Sequence, residues 1–149
     1  MSEENTPNQV VNIYQIIVKD LSFEALIPMY KIEGEFNPSI TENIEIAVTI
    51  MSDDHHEVAL KKQITATNND KPIFIVEAEQ VGLFKLSGFD AEALEHIQNV
   101  YCPNIIYPYL RETISNAVTR GGYPALHLSR YDFEYHYMMS KKQDEQQAK

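Results

Sequence analysis

Residues 40–51 read Ile-Thr-Glu-Asn-Ile-Glu-Ile-Ala-Val-Thr-Ile-Met, and they alternate. Ile44, Ile46, Val48 and Ile50 fall on one face; Glu45, Ala47 and Thr49 fall on the other. Successive side chains of a strand point to opposite faces, so this pattern predicts a strand with one face buried. Residues 57–67 repeat the pattern, with Val58, Leu60, Ile64 and Ala66 opposite Lys61, Gln63 and Thr65. Between the two lies Ser52-Asp53-Asp54-His55, a turn sequence. A second turn, Asn68-Asn69-Asp70-Lys71, leads through Pro72 into a further strand over 72–86. There Phe74, Val76, Ala78 and Gln80 share one parity, and Glu77 and Glu79 the other. Three alternating strands joined by short turns predict an antiparallel meander.

Working towards the N-terminus, residues 10–23 are rich in β-branched residues and predict another strand. Both parities become apolar at Ile16, Ile17 and Val18, which points to an irregularity. Residues 1–9 are polar and are expected to form a disordered arm. The connection 24–38, with Pro28, Gly34 and Pro38, is longer than most loops in compact domains, and such loops often carry function. Towards the C-terminus the period changes after Gly88. Asp90 is a good cap for a helix over 91–97, Pro103 interrupts the pattern, and a second helix follows Pro108 and stops at Gly121-Gly122. Residues 131–142 predict a final short helix rich in aromatics and Met, followed by a flexible polar tail at 143–149. The fold class is therefore α+β, in one domain over 10–142. So few helices give such a sheet too little cover. The exposed faces of the fourth strand and of the Pro108 helix are expected to bury against another copy.

The composition narrows the function. The chain has 149 residues, with 22 Asp and Glu against 12 Lys and Arg, for a net charge of −10. Nucleic acid and anionic membrane surfaces repel such a chain, whereas basic partners attract it. No run of 18 apolar residues predicts membrane insertion. Met1-Ser2-Glu3-Glu4-Asn5 lacks the basic start and apolar run of a secretory signal. The single Cys102 excludes an intramolecular disulfide, so a cytoplasmic address is expected.

No catalytic constellation emerges. His55 and His56 are adjacent and point to opposite faces beside Asp53 and Asp54; they read as solvated turn residues rather than metal ligands. His96, His127 and His136 have no partner at metal-ligand spacing. Cys102, among Tyr and Ile and before Pro103, reads as a buried, inert thiol. Glu77 and Glu79 share an exposed strand face with nothing to shift their titration. No phosphate-binding loop is present, and no cofactor or enzymatic activity is expected.

Four segments do carry a signal. They are Lys19-Asp20-Leu21-Ser22-Phe23-Glu24-Ala25; Phe74-Ile75-Val76-Glu77 leading to Gly82-Leu83-Phe84; Tyr101-Cys102-Pro103-Asn104-Ile105-Ile106-Tyr107-Pro108-Tyr109 with Arg111-Glu112; and Arg120-Gly121-Gly122-Tyr123-Pro124. In this order and spacing the chain resembles the SecB family of bacterial export chaperones, from the first strand to about residue 140. The resemblance implies a four-stranded antiparallel sheet, a long broken helix, a short C-terminal helix and a homotetramer built as a dimer of dimers. It implies an ATP-independent holdase that keeps unfolded precursor polypeptides competent for translocation and passes them to the ATPase SecA. A related chaperone that controls a toxin–antitoxin system is the alternative.

Two surfaces follow from that task. Carried over from the family, the SecA-binding positions are Asp20, Glu24, Ile75 and Glu77, with Ile where Leu is usual; their partner is the basic, zinc-bearing tail of SecA. The apolar surface for clients suits Met and aromatic side chains, which offer contact area without demanding one partner shape. Leu26, Ile27, Met29 and Tyr30 in the long loop, and Tyr131, Phe133, Tyr137 and Met138 towards the C-terminus, are the expected groove lining. Familiar members have longer acidic tails that add to the SecA contact, whereas 143–149 is short and mixed in charge.

Overall fold

A computed structural model describes residues 8–148. Most of the arm read at 1–9 lies outside the described residues, as does Lys149. The sheet comprises β1 (Val10–Ala25), β2 (Ser39–Ile50), β3 (His55–Asn68) and β4 (Lys71–Ser87), in the order β1-β4-β3-β2, all neighbours antiparallel. The two hairpins turn on Asp53-Asp54 and Asn69-Asp70, all four with φ between 52° and 61°. Two successive residues with positive φ match the right-handed twist of the flanking strands, and Asn and Asp tolerate that conformation best after glycine.

β4 is a central strand, with its inner face buried and much of its outer face only half-buried. The connection after β1 crosses the end of the sheet to β2, so β1 and β2 are the two edge strands and both are left partly uncovered. The register of β1 slips between Ile13 and Gln15 and again between Val18 and Asp20, the second on the flank of the Ile16–Val18 run. Connection 26–38 is tied to the sheet at both ends. The Leu26 and Ile27 amides donate to the Ile73 carbonyl (2.8 and 3.0 Å). Buried Asn68 accepts from the Asn37 amide (2.8 Å) and donates to the Glu35 carbonyl (3.2 Å).

Asp90 caps α1 (Ala91–His96) by accepting from the Ala93 amide at 2.8 Å. The helix does not break where Pro103 predicts. A π-turn at Ile97–Tyr101 widens the backbone just ahead of that proline, and α2 (Cys102–Arg120) runs on through Pro108. The wider turn accommodates the ring and the missing N–H. α2 lies on the inner face of the sheet, burying Ile106, Leu110, Ile114 and Val118 at four-residue spacing. Each such side chain contributes about 1.5–3 kcal/mol of burial free energy. Gly82 permits the close approach: a Cβ there would stand 3.1 Å from Ile106 Cδ1. After an extended stretch, α3 (Phe133–Gln147) begins at its cap Asp132 and passes Lys142, so most of the stretch read as a flexible tail continues the helix.

Candidate protein-binding surfaces

Even spacing puts Asp20 with Glu24 on β1, and Ile75 with Glu77 on β4; pairing of those two strands decides whether the two sets meet. They do. Ser22 lies opposite Glu77, Glu24 opposite Ile75 and Asp20 opposite Glu79, so all four expected positions share the outer face, turned away from α2. Asp20 and Glu24 are exposed, and Ile75 and Glu77 are half-buried. The face is acidic but not bare. Lys61 on β3 reaches Glu77 at 3.3 Å, and Lys19, in the slipped register of β1, lies 3.8 Å from Glu79. The hydrogen bond to Glu77, and the charges of Glu77, Glu45 and Glu79, hold the Lys61 ammonium above the ordinary lysine range.

The eight expected groove residues do not form one cluster. The loop group sits beyond the C-terminal end of α2, where the Tyr123 hydroxyl lies 2.6 Å from the Ile27 carbonyl oxygen and 3.0 Å from that of Ile73. The second group packs near the start of α2, with Phe133 edge-on to Tyr107. The fourteen residues from Tyr107 to Gly121 put roughly 20 Å between the two. Within the first group Tyr30 is 85% exposed and Leu26 is exposed, whereas Ile27 and Met29 pack partly on the core. In the second, Met138 is exposed and Tyr131 and Tyr137 are half-buried. Phe133 is only 1% exposed, so its ring belongs to the core and lines no surface. An open groove of about 560 Å³ runs between α2 and residues 126–128, lined by Pro108, Arg111, Glu112, Leu126 and Leu128 among others.

The family model described as preprotein translocase subunit SecB matches residues 3–144. The chain belongs to the SecB family. Among solved structures it is similar to a SecB-like chaperone of Mycobacterium tuberculosis in complex with a peptide from an antitoxin: 16% identity, TM-score 0.67, covering 82% of this chain and 91% of that one. A protein of unknown function from Streptococcus agalactiae matches at 11% identity and TM-score 0.42, over 83% of this chain and 99% of that one.

SecB-family proteins are chaperones, and the remaining titratable groups here have structural settings. Burial pushes the Cys102 thiol up to about 12, where it is inert. His56 is not a solvated turn residue: it is buried, its Nδ1 lies 2.9 Å from Gln98 Nε2, and desolvation pulls its pKa below the ordinary value. His55 stacks on Tyr14. Among the described residues no group of three or more His, Cys, Asp or Glu is placed to hold a metal, and no helix is long and apolar enough to cross a membrane.

One residue escaped the sequence reading. Lys62 is 1% exposed, on the inner face of β3. Its ammonium lies 3.2 Å from Glu42 and 3.5 Å from the Tyr107 hydroxyl, over the rings of Tyr107 and Tyr131 at 5.4 and 5.6 Å. The Tyr107 hydroxyl donates to the Ser129 carbonyl at 2.8 Å, so this hub ties the segment before α3 to the sheet. The signal was available: Lys62 has the parity of Leu60 and Ile64.

Proposed function

We propose that the protein is an ATP-independent cytoplasmic holdase that binds unfolded precursor polypeptides and delivers them to SecA. The observation that carries this reading is the meeting of Asp20, Glu24, Ile75 and Glu77 on one sheet face, three acids around an apolar contact. Such a face suits a small basic element, here the zinc-bearing tail of SecA; the zinc belongs to the partner. Clients bind elsewhere, on the exposed apolar side chains of the 26–30 loop and of α3. Assembly as a homotetramer accounts for the apolar surface left open on β1, where Ile13, Val18 and Leu21 are exposed beside α2. Several weak client sites on one assembly then act together.

The test is Glu77→Lys. Affinity for the zinc-loaded SecA tail peptide, read by calorimetry, should fall on the order of tenfold. Light scattering of an aggregating unfolded client should still be suppressed without nucleotide. Unchanged peptide affinity removes the SecA assignment; loss of both activities marks misfolding of the variant. The SecB-like chaperone that this chain resembles in fold was solved with an antitoxin peptide, which favours an antitoxin as the second candidate client. That role needs no acidic quartet, so an antitoxin chaperone would tolerate Glu77→Lys in every binding assay.

A further inference from the structure

The docking face carries its own cations, and one of them sits on Glu77. Lys61 stands directly between Glu45 on β2 and Glu79 on β4, and its ammonium reaches diagonally to Glu77 at 3.3 Å. Its side chain is 44% exposed and that of Glu77 only 29%, so the lysine covers part of the carboxylate it pairs with. Asp20 and Glu24, at the β1 side of the same face, have no ion pair among the described residues. The face is therefore uneven: open acids on β1, self-paired acids on β4, Glu77 with Lys61 and Glu79 with Lys19.

We propose that Lys61 is an internal competitor for the basic partner: it occupies Glu77 in the free protein and must be displaced for docking, so it limits affinity. This rests on the SecA reading above and names the residue that tunes it. Any ammonium or guanidinium group arriving at Glu77 takes over the position of Lys61 Nζ. The displaced ammonium stays tethered within reach of Glu45 and Glu79, where it still repels the incoming charge. An acidic face with a built-in counter-ion discriminates between partners: one weak cation does not repay displacement, whereas several fixed cations that also engage Asp20 and Glu24 do.

The experiment compares Lys61→Gln with Lys85→Gln. Both change net charge equally, but Lys85 lies on the same face six residues from Glu79, roughly 20 Å along the strand. With the zinc-loaded SecA tail peptide as probe, Lys61→Gln should tighten binding by about threefold and Lys85→Gln by much less. Most of the gain should be lost when Lys61→Gln is added to Glu77→Gln, leaving only the part due to direct repulsion, because the competition acts through Glu77. Thermal melts of each variant check the fold; if Lys61→Gln melts early, Lys61→Met replaces it. Equal gains from both lysine variants reduce the effect to net charge and overturn the proposal. No gain from Lys61→Gln, with Glu77→Lys still weakening the peptide, overturns it and leaves the docking face standing. Indifference of the peptide to Glu77→Lys as well removes the docking face itself.

Discussion

Glu42→Gln should destabilise the fold although Glu42 is itself half in solvent, because its partner is not. The substitution keeps the side chain's shape and removes the charge 3.2 Å from Lys62 Nζ. Breaking a buried ion pair from one side costs about 3–5 kcal/mol, most of it the penalty of leaving the other charge unpaired. Two features reduce that here. The Tyr107 and Tyr131 rings retain about 0.5–2 kcal/mol of cation stabilisation. The Glu42 side chain is 47% exposed, so water reaches the vacated side of the pair. The expected loss is about 2 kcal/mol, equivalent to about 4–8 °C in a chain of this length. Lys62→Met should cost less than about 1 kcal/mol, since replacing a buried ion with a hydrophobe of similar volume is often neutral and Glu42 simply re-solvates. The double variant should match Lys62→Met. Urea unfolding followed by circular dichroism gives these values, provided all variants are compared at one protein concentration, because assembly adds concentration-dependent stability. Glu42→Gln within about 0.5 kcal/mol of the parent, or Lys62→Met costing more than Glu42→Gln, refutes the reasoning: either the ammonium is already hydrated, or the pair is a net stabiliser rather than a protected liability.

Phe133→Ala should cost about 3 kcal/mol in the same assay, at the low end for a buried ring because the site lies at the end of α3 and can partly collapse. Tyr30→Ser, at an exposed position, should change stability by less than about 0.5 kcal/mol, so a shared effect on stability would show that Tyr30 packs against something in the assembly. His56 gives the fold an acid sensitivity. Burial lowers its folded pKa below the ordinary histidine value, against the pull of Asp54, so the unfolded chain takes up the proton first. This contribution is intact above about pH 6.5 and is lost as pH falls through that value towards the lower folded one. His56→Gln should flatten the pH profile of stability across that window; an unchanged slope places the sensitivity on other groups.

Strand positions were legible because period two is short and unambiguous: Ile44 to Ile50 and Phe74 to Gln80 announce both strands and the inward face of each. The hairpin turns were legible because Asp-Asp and Asn-Asp are chemically suited to positive φ. Strand order was not. Alternation fixes which face a residue takes but says nothing about its neighbour, so the pairing of β4 with β1 cannot be read from it. The same gap kept the acidic quartet as two separate pairs until the β1–β4 register joined them. Pro103 misled because the device that accommodates it, the π-turn, leaves no sequence signature. His56 misled differently: it has the parity of Val58 and Leu60, and that pattern should have outweighed the polar turn beside it.

Lys61 and Lys62 show why the two surfaces can be varied independently. They are consecutive and chemically identical, yet one faces Glu77 on the outer face and the other Glu42 and two tyrosines inside. The strand pleat alone separates them, and the sheet between them keeps their partners apart. Charge changes around Lys61 alter an exposed, salt-screened face where ion pairs contribute little to stability. Changes around Lys62 act on a desolvated cation, where the same chemistry is felt by the fold. Docking and stability should therefore respond to disjoint sets of substitutions: Glu77→Lys should shift peptide affinity without moving the urea midpoint, and Glu42→Gln should move the midpoint without shifting peptide affinity. A substitution at either lysine that moved both readouts together would mean that the sheet transmits strain between its faces, and the outer face could not then be treated as a rigid platform for a basic partner.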